Sequence, residues 1–242
     1  MVTVPPRALV TGGGVRVGRA IALALGAAGF DVAVHYHGSG DAASSTVAQL
    51  RSSGRRTLRL RADLSDPDQI EALFQQLSSQ WPHLDLLVNS AAIFPRARPE
   101  EVRIREWDRL FALNVRAPFL CARAAVQLMG ERGGCVVNIA DVAAFEAWPA
   151  HAGYAATKAA LVSLTRSLAL AWAPRIRVNA VAPGAVLLPE GTSREEAARA
   201  AARAALGRVG SAADVAEAVV YLSRAQYVTG EVLRVDGGGH LR

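Results

Sequence analysis

What narrows the fold most sharply is the alternation of short apolar runs with longer stretches of helical periodicity, kept up along the 242 residues. A strand that feeds a helix pairs with the next such strand in parallel, so repetition of the unit implies a parallel, doubly wound α/β sheet with helices on both faces. Ligands of such sheets sit beyond the C-terminal strand ends. The first unit sets the pattern: an apolar strand over residues 7–11 runs into Gly12-Gly13-Gly14-Val15-Arg16-Val17-Gly18. A helix follows with Ile21, Leu25 and Ala28 on one face, closed by Gly29. Glycines let backbone amides approach a pyrophosphate, and the helix N-terminus adds partial positive charge. Strand, glycine turn and helix in that order make a phosphate-binding arrangement.

The units that follow are a strand at Asp31–Tyr36, a helix over 41–53, a strand at Thr57–Arg61, and a helix opened by Asp66-Pro67-Asp68-Gln69, with an N-cap, a proline at the first position and a glutamine placed to bond back. Strands are expected at 84–88, 136–140, 176–181 and 231–235. Helices are expected as one long span over 104–129 carrying Asn114, one through Tyr154 and Lys158 to residue 171, and one from Ser211 to Leu222. Residues 190–206 are alanine-rich, with Glu195 and Arg199 at helical spacing, and read as a movable helix beside the site. The expectation is a single domain, residues 1–242, with a small helical substrate lid at 186–206.

A hydrophobic content of 51% supports a core of that size. The absence of a span-length apolar run or a signal-peptide pattern predicts a cytoplasmic protein with no membrane partner. Cys121 and Cys135 have neither metal nor redox spacing and read as buried, reduced thiols, with no metal site. The net charge of +6 comes from arginines scattered through every segment, which predicts no nucleic-acid partner.

Chemistry concentrates between Asp141 and Lys158. Tyr154 and Lys158 stand one helical turn apart, and Lys158 is the only lysine among 27 basic residues. A cation about 4 Å from a phenol at an effective dielectric of about 20 favours the phenolate by roughly 4 kcal/mol. That would make an acid/base pair; a helix with one exposed Tyr and one exposed Lys is the plainer alternative. After the second strand, at Tyr36, His37 and Ser39, there is no carboxylate to hold a ribose 2′-hydroxyl. Either His37, Ser39 and nearby amides receive a 2′-phosphate, or this is a polar turn.

Thr11-Gly12 through Gly18, Asp63, Asn89 to Ala91, Asn114, Tyr154 with Lys158, and Pro183-Gly184 together resemble the short-chain dehydrogenase/reductase family, in order and spacing over nearly the whole chain. The resemblance implies a Rossmann-type fold and a nicotinamide cofactor. It implies Tyr154 as proton donor, Lys158 holding the ribose and the tyrosine's charge state, and Asn114 supporting a relay water. Cofactor contacts would come from Gly12, Gly14, Arg16, Val17, Gly18, Tyr36, His37, Ser39, Asp63, Leu64, Asn89, Ala91, Tyr154, Lys158, Pro183 and Gly184. Ser90 and Ala92 depart from the family's usual Asn-Asn-Ala-Gly.

Arg16 replaces a glycine and Asp141 replaces the usual catalytic serine, and both changes are similar to the pteridine reductases. That similarity implies Arg16, Phe94, Asp141 and Tyr154 as substrate contacts, with Phe94 stacking on a pterin. Gly38 and Ala92 depart from that subgroup. An ionised carboxylate is acceptor-only and opposes a developing oxyanion, whereas a cyclic C=N bond generates a ring nitrogen that must be protonated. Asp141 can equally be a drifted serine or a cap of the following turn.

Three functions follow as expectations: NADPH-dependent reduction of a pteridine, dihydropterin or dihydrofolate; NADPH-dependent reduction of a ketone, sugar or 3-oxoacyl carbonyl; or a catalytically silent dinucleotide sensor. Phe111, Val115, Phe119, Leu161, Leu164 and Leu168 give more apolar helix surface than one sheet face needs, and predict a homotetramer.

Overall fold

The computed structural model describes residues 4–188 and 191–242. Residue 190, where the lid helix is expected to begin, lies outside the described residues. Seven strands form one parallel sheet in the order β3-β2-β1-β4-β5-β6-β7. They are β1 (Arg7–Val10), β2 (Asp31–Tyr36), β3 (Thr57–Arg61), β4 (Leu86–Asn89), β5 (Gly134–Ile139), β6 (Ile176–Pro183) and β7 (Val232–Val235). β1 pairs with β2 on one edge and β4 on the other, so the winding direction reverses at its C-terminal end. That reversal opens the crevice in which such sheets bind ligands.

Side-chain alternation along the strands builds two cores. Ala8 and Val10 of β1 point to the face covered by α1 (Arg16–Ala27), α2 (Gly40–Ser52) and α8 (Ala212–Arg224), where they meet Ile21, Leu25, Leu50 and Val219. Leu9 points to the opposite face, under α3 (Pro67–Gln80), α5 (Ala117–Met129) and α6 (Ala152–Trp172), and meets Leu73, Leu77, Ala125 and Leu168. The caps form as their residues dictate. Asp66 accepts from the Asp68 amide with Pro67 at the first position, and Ser211 exchanges bonds with Asp214. Ser193 and Glu196 do the same for the lid helix α7 (Arg194–Arg203).

Three expectations are corrected. The long helix over 104–129 is broken into α4 (Ile104–Phe111) and α5 by a π-helical turn at Ala112–Arg116. Pro118 lacks the N–H that would continue an α-helical ladder, and the widened turn carries Asn114. Several strands shift by one or two residues from their expected bounds, because the apolar runs continue into loops that are themselves buried, such as Leu84. Leu161 and Leu168 face the core rather than the surface, whereas Leu170, Ile104 and Trp107 are exposed.

Candidate active site

The ends of β1, β4, β5 and β6 and the lid enclose a cavity of about 900 Å³. Gly12, Arg16, Val17 and Gly18 line one wall, Ser90 to Ala92 and Phe94 the next, and Asp141, Tyr154, Lys158, Pro183 and Gly184 the floor. Leu187, Leu188 and Ala204 close it from the lid side. The turn after β1 has no room for side chains. A Cβ on Gly18 would run into the Gly12 carbonyl, and one on Gly12, at φ +64°, would stand 3.1 Å from the Ala91 Cα. Such a cradle admits backbone amides to a phosphate and little else, so these residues fit a dinucleotide. Gly14 packs under α2, where a Cβ would meet the Ala43 amide at 3.0 Å. Arg16 adopts φ +50° and donates to the lid carbonyl of Leu187 at 3.3 Å.

At the floor, Tyr154 is 6% exposed and its hydroxyl donates to Asp141 Oδ2 at 2.8 Å. The other carboxylate oxygen accepts the Ala143 amide, so Asp141 caps the following turn while it holds the tyrosine hydroxyl. Lys158 Nζ donates to the Ile139 carbonyl at 2.7 Å and lies 5.5 Å from the tyrosine ring centre. Burial, then the adjacent Asp141 charge, raises the Tyr154 pKa. The direction is opposite to the one expected from Lys158 alone, because burial and the hydrogen-bonded Asp141 act the other way. Burial likewise pushes the Asp141 carboxyl up, and lowers Lys158 to about 8 against the pull of Asp141.

Asn114 is 1% exposed. Its Nδ2 donates to the Ile93 carbonyl and to Thr157 Oγ1, and its Oδ1 accepts the Ile93 amide. It therefore clamps the segment leading to Phe94 against α6, and only a second lone pair on Oδ1 remains for a water. Phe94 is 54% exposed, stacks on His151 at 4.3 Å and meets the Tyr154 ring edge-on at 4.5 Å. Trp148 completes this aromatic rim and is pinned by its Nε1 donating to Glu146.

Two expected cofactor contacts turn inward. Asn89 donates to the Pro118 carbonyl and to Asn138 Oδ1, its register partner on β5, so its side chain serves the sheet. The Leu64 side chain lies in the core with Ile70 and Leu73 and can offer a ligand only its backbone. Tyr36, His37 and Ser39 follow β2, with the Tyr36 ring under the Arg59 guanidinium at 5.4 Å and His37 and Ser39 exposed. Asp63 accepts from both Ser65 donors, which hold its carboxyl below the usual range; nearby His37 adds to this. Sequence reasoning missed Thr11 and His35. Thr11 Oγ1 accepts the Ser90 and Ala91 amides and so shapes the cavity wall. The signal for His35 was a polar residue in an apolar strand.

A parallel sheet with a glycine turn at the winding reversal and a Tyr/Lys/Asp cluster opposite it defines a dinucleotide-dependent oxidoreductase. The family model described as enoyl-(acyl carrier protein) reductase matches residues 14–240. The chain belongs to this short-chain dehydrogenase/reductase family. It is 35% identical over 240 residues to the 3-oxoacyl-[acyl-carrier-protein] reductase FabG of Staphylococcus aureus, covering 97% of this chain and 98% of that protein. Among solved structures, a blue fluorescent protein from a metagenomic library in complex with NADPH superposes with a TM-score of 0.91 at 35% identity, covering 97% of each chain. The angucycline C-6 ketoreductase LanV with bound NADP gives 0.91 at 32% identity, over 98% of this chain and 96% of that one. Among the described residues no helix is long and apolar enough to cross a membrane, and no group of three metal-binding side chains occurs.

Proposed function

We propose that the protein is an NADPH-dependent carbonyl reductase acting on a planar ketone. The cofactor is NADP(H): related chains hold it, and no carboxylate follows β2 to repel a 2′-phosphate. When bound, the cofactor supplies a hydride to the carbonyl carbon. Tyr154 gives its proton to the carbonyl oxygen, and the observation that carries this reading is that its phenol is buried, kept neutral and already donating at the cavity floor. Lys158 Nζ, fixed by Ile139, stabilises the tyrosinate left behind. Asp141 holds the phenol in place; burial raises its carboxyl, which favours the protonated form, and in that form it is a hydrogen-bond donor to the oxyanion as serine would be. The exposed Phe94 ring and Trp148 favour a flat substrate over a flexible acyl chain, since an aromatic pair is worth about 0.5–1.5 kcal/mol beyond area burial.

Reduction of a pterin C=N bond is the second reading, supported by the carboxyl at 141 and by Phe94. NADPH oxidation measured with a fused-ring ketone, a 3-oxoacyl thioester and a dihydropterin separates them. Fastest turnover of the ketone is expected, with a loss of about 10² to 10⁴ in kcat for Tyr154→Phe. Fastest turnover of the dihydropterin selects the second reading, and cofactor binding with no turnover on any of the three returns the protein to a sensor. The exposed Leu170, Ile104 and Trp107 support assembly as a homotetramer in the cytoplasm, where the buried thiols Cys121 and Cys135 stay reduced. A monomer mass in light scattering would remove that part.

A further inference from the structure

His35 lies near the C-terminal end of β2, 2% exposed, and takes no part in the chemistry at the floor. Its two ring nitrogens meet opposite kinds of partner. The Gly12 amide can only donate, so Nδ1 accepts from it at 3.1 Å; the Ala62 carbonyl can only accept, so Nε2 carries the hydrogen and donates at 3.1 Å. Burial lowers the ring's pKa to about 4, with nearby His37 and Asp63 acting in opposite senses, so Nδ1 remains an acceptor through the neutral range. The backbone of the same residue also takes the next amide, Gly13 N–H to His35 O at 2.9 Å. Thus two successive amides of the glycine turn are turned inward onto one residue of β2.

We propose that His35 is a positioning residue for the cofactor: its neutral ring holds Gly12 at φ +64° and joins the phosphate-binding turn of β1 to the Ala62-Asp63 corner after β3. Gly12 is the point where this matters, because even an added Cβ there would stand only 3.1 Å from the Ala91 Cα on the next cavity wall. A turn released from His35 moves toward Ala91 or swings outward, and either displaces the amides a pyrophosphate needs. The inference rests on the dinucleotide reading of the turn and is independent of which carbonyl is reduced.

Three variants separate positioning from mere packing, because a buried histidine replaced by anything tends to lower Tm. His35→Asn keeps an acceptor near the Nδ1 position for Gly12, His35→Gln reaches toward Ala62 but leaves Gly12 without its acceptor, and His35→Leu fills the space with neither. Dissociation constants for NADPH, from fluorescence titration of the folded proteins, are expected to rise about tenfold or more for His35→Leu and His35→Gln. His35→Asn should stay within about threefold of wild type even though its Tm falls, and kcat at saturating NADPH should change little in all three. If His35→Leu does not fold, the Asn and Gln pair carries the same test. Equal NADPH affinity in the Asn and Gln variants, or weakening that follows Tm, overturns the proposal; a wild type that binds no NADPH overturns the dinucleotide reading instead.

Discussion

The glycine turn and the lid face each other across the same cavity and are built in opposite ways. In the turn, glycines at 12, 13, 14 and 18 press against backbone, and the amides of Gly12 and Gly13 are spent on His35. The lid helix α7 has no buried residue among its ten; Arg242 donates to its Ala202 carbonyl, and the flanking Leu187 and Leu206 bond to Arg16 and Gly237. The difference teaches where the protein spends its rigidity. The glycine turn is a surface fixed in advance, while the lid helix offers no buried residue to hold it against the rest of the fold.

The sharpest way to break this contrast is Gly18→Ala. Its methyl group would collide with the Gly12 carbonyl, so the turn must shift, with NADPH affinity falling by about a hundredfold and stability by about 1–3 kcal/mol. Calorimetry and a cofactor titration read both; unchanged affinity would mean the turn is not rigid. Arg16→Gly probes the seam between the two regions. Removing a side chain held at φ +50° should stabilise the fold by about 1 kcal/mol in thermal unfolding, while hydrogen exchange over residues 186–206 should quicken as the bond to Leu187 is lost. At the small end, Arg199→Ala removes an exposed 3.8 Å ion pair with Glu195 and should cost no more than about 0.5 kcal/mol in denaturant unfolding, with kcat/KM unchanged.

Legibility in the sequence follows the same division. Strand-to-helix alternation and the spacing of Gly12, Gly18, Asp63, Tyr154 and Lys158 were visible because local chemistry and global fold demand the same residues there. Asn114 was visible as a residue but its π-turn was not read, although Pro118 just beyond it lacks the N–H an α-helical ladder needs. Tyr154 was read with the wrong sign of shift, since sequence spacing shows Lys158 one turn away but not that Asp141 is hydrogen-bonded to the hydroxyl. That the Asn89 and Leu64 side chains point inward was not legible, because only the sheet register and the core decide it. Leu161 and Leu168 belong to the core by the same cause.

The account's central claim is that Asp141, in place of a serine, serves carbonyl reduction beside Tyr154. Asp141, Tyr154 and Lys158 titrate as a cluster, and apparent pKa values belong to the cluster. The signs are nonetheless separable: Asp141 is raised, so its protonated form is lost as pH rises through that raised value, and Lys158 loses its charge near pH 8. The pH dependence of kcat/KM for a fused-ring ketone should therefore fall in two stages as pH increases in the wild type, one as the Asp141 carboxyl loses its proton and a second as Lys158 loses its charge near pH 8. Asp141→Ser, which keeps a donor but has no proton to lose, should retain ketone turnover and show only the second stage. A wild-type profile with a single stage matching that of Asp141→Ser, or loss of ketone reduction in Asp141→Ser, would contradict the claim.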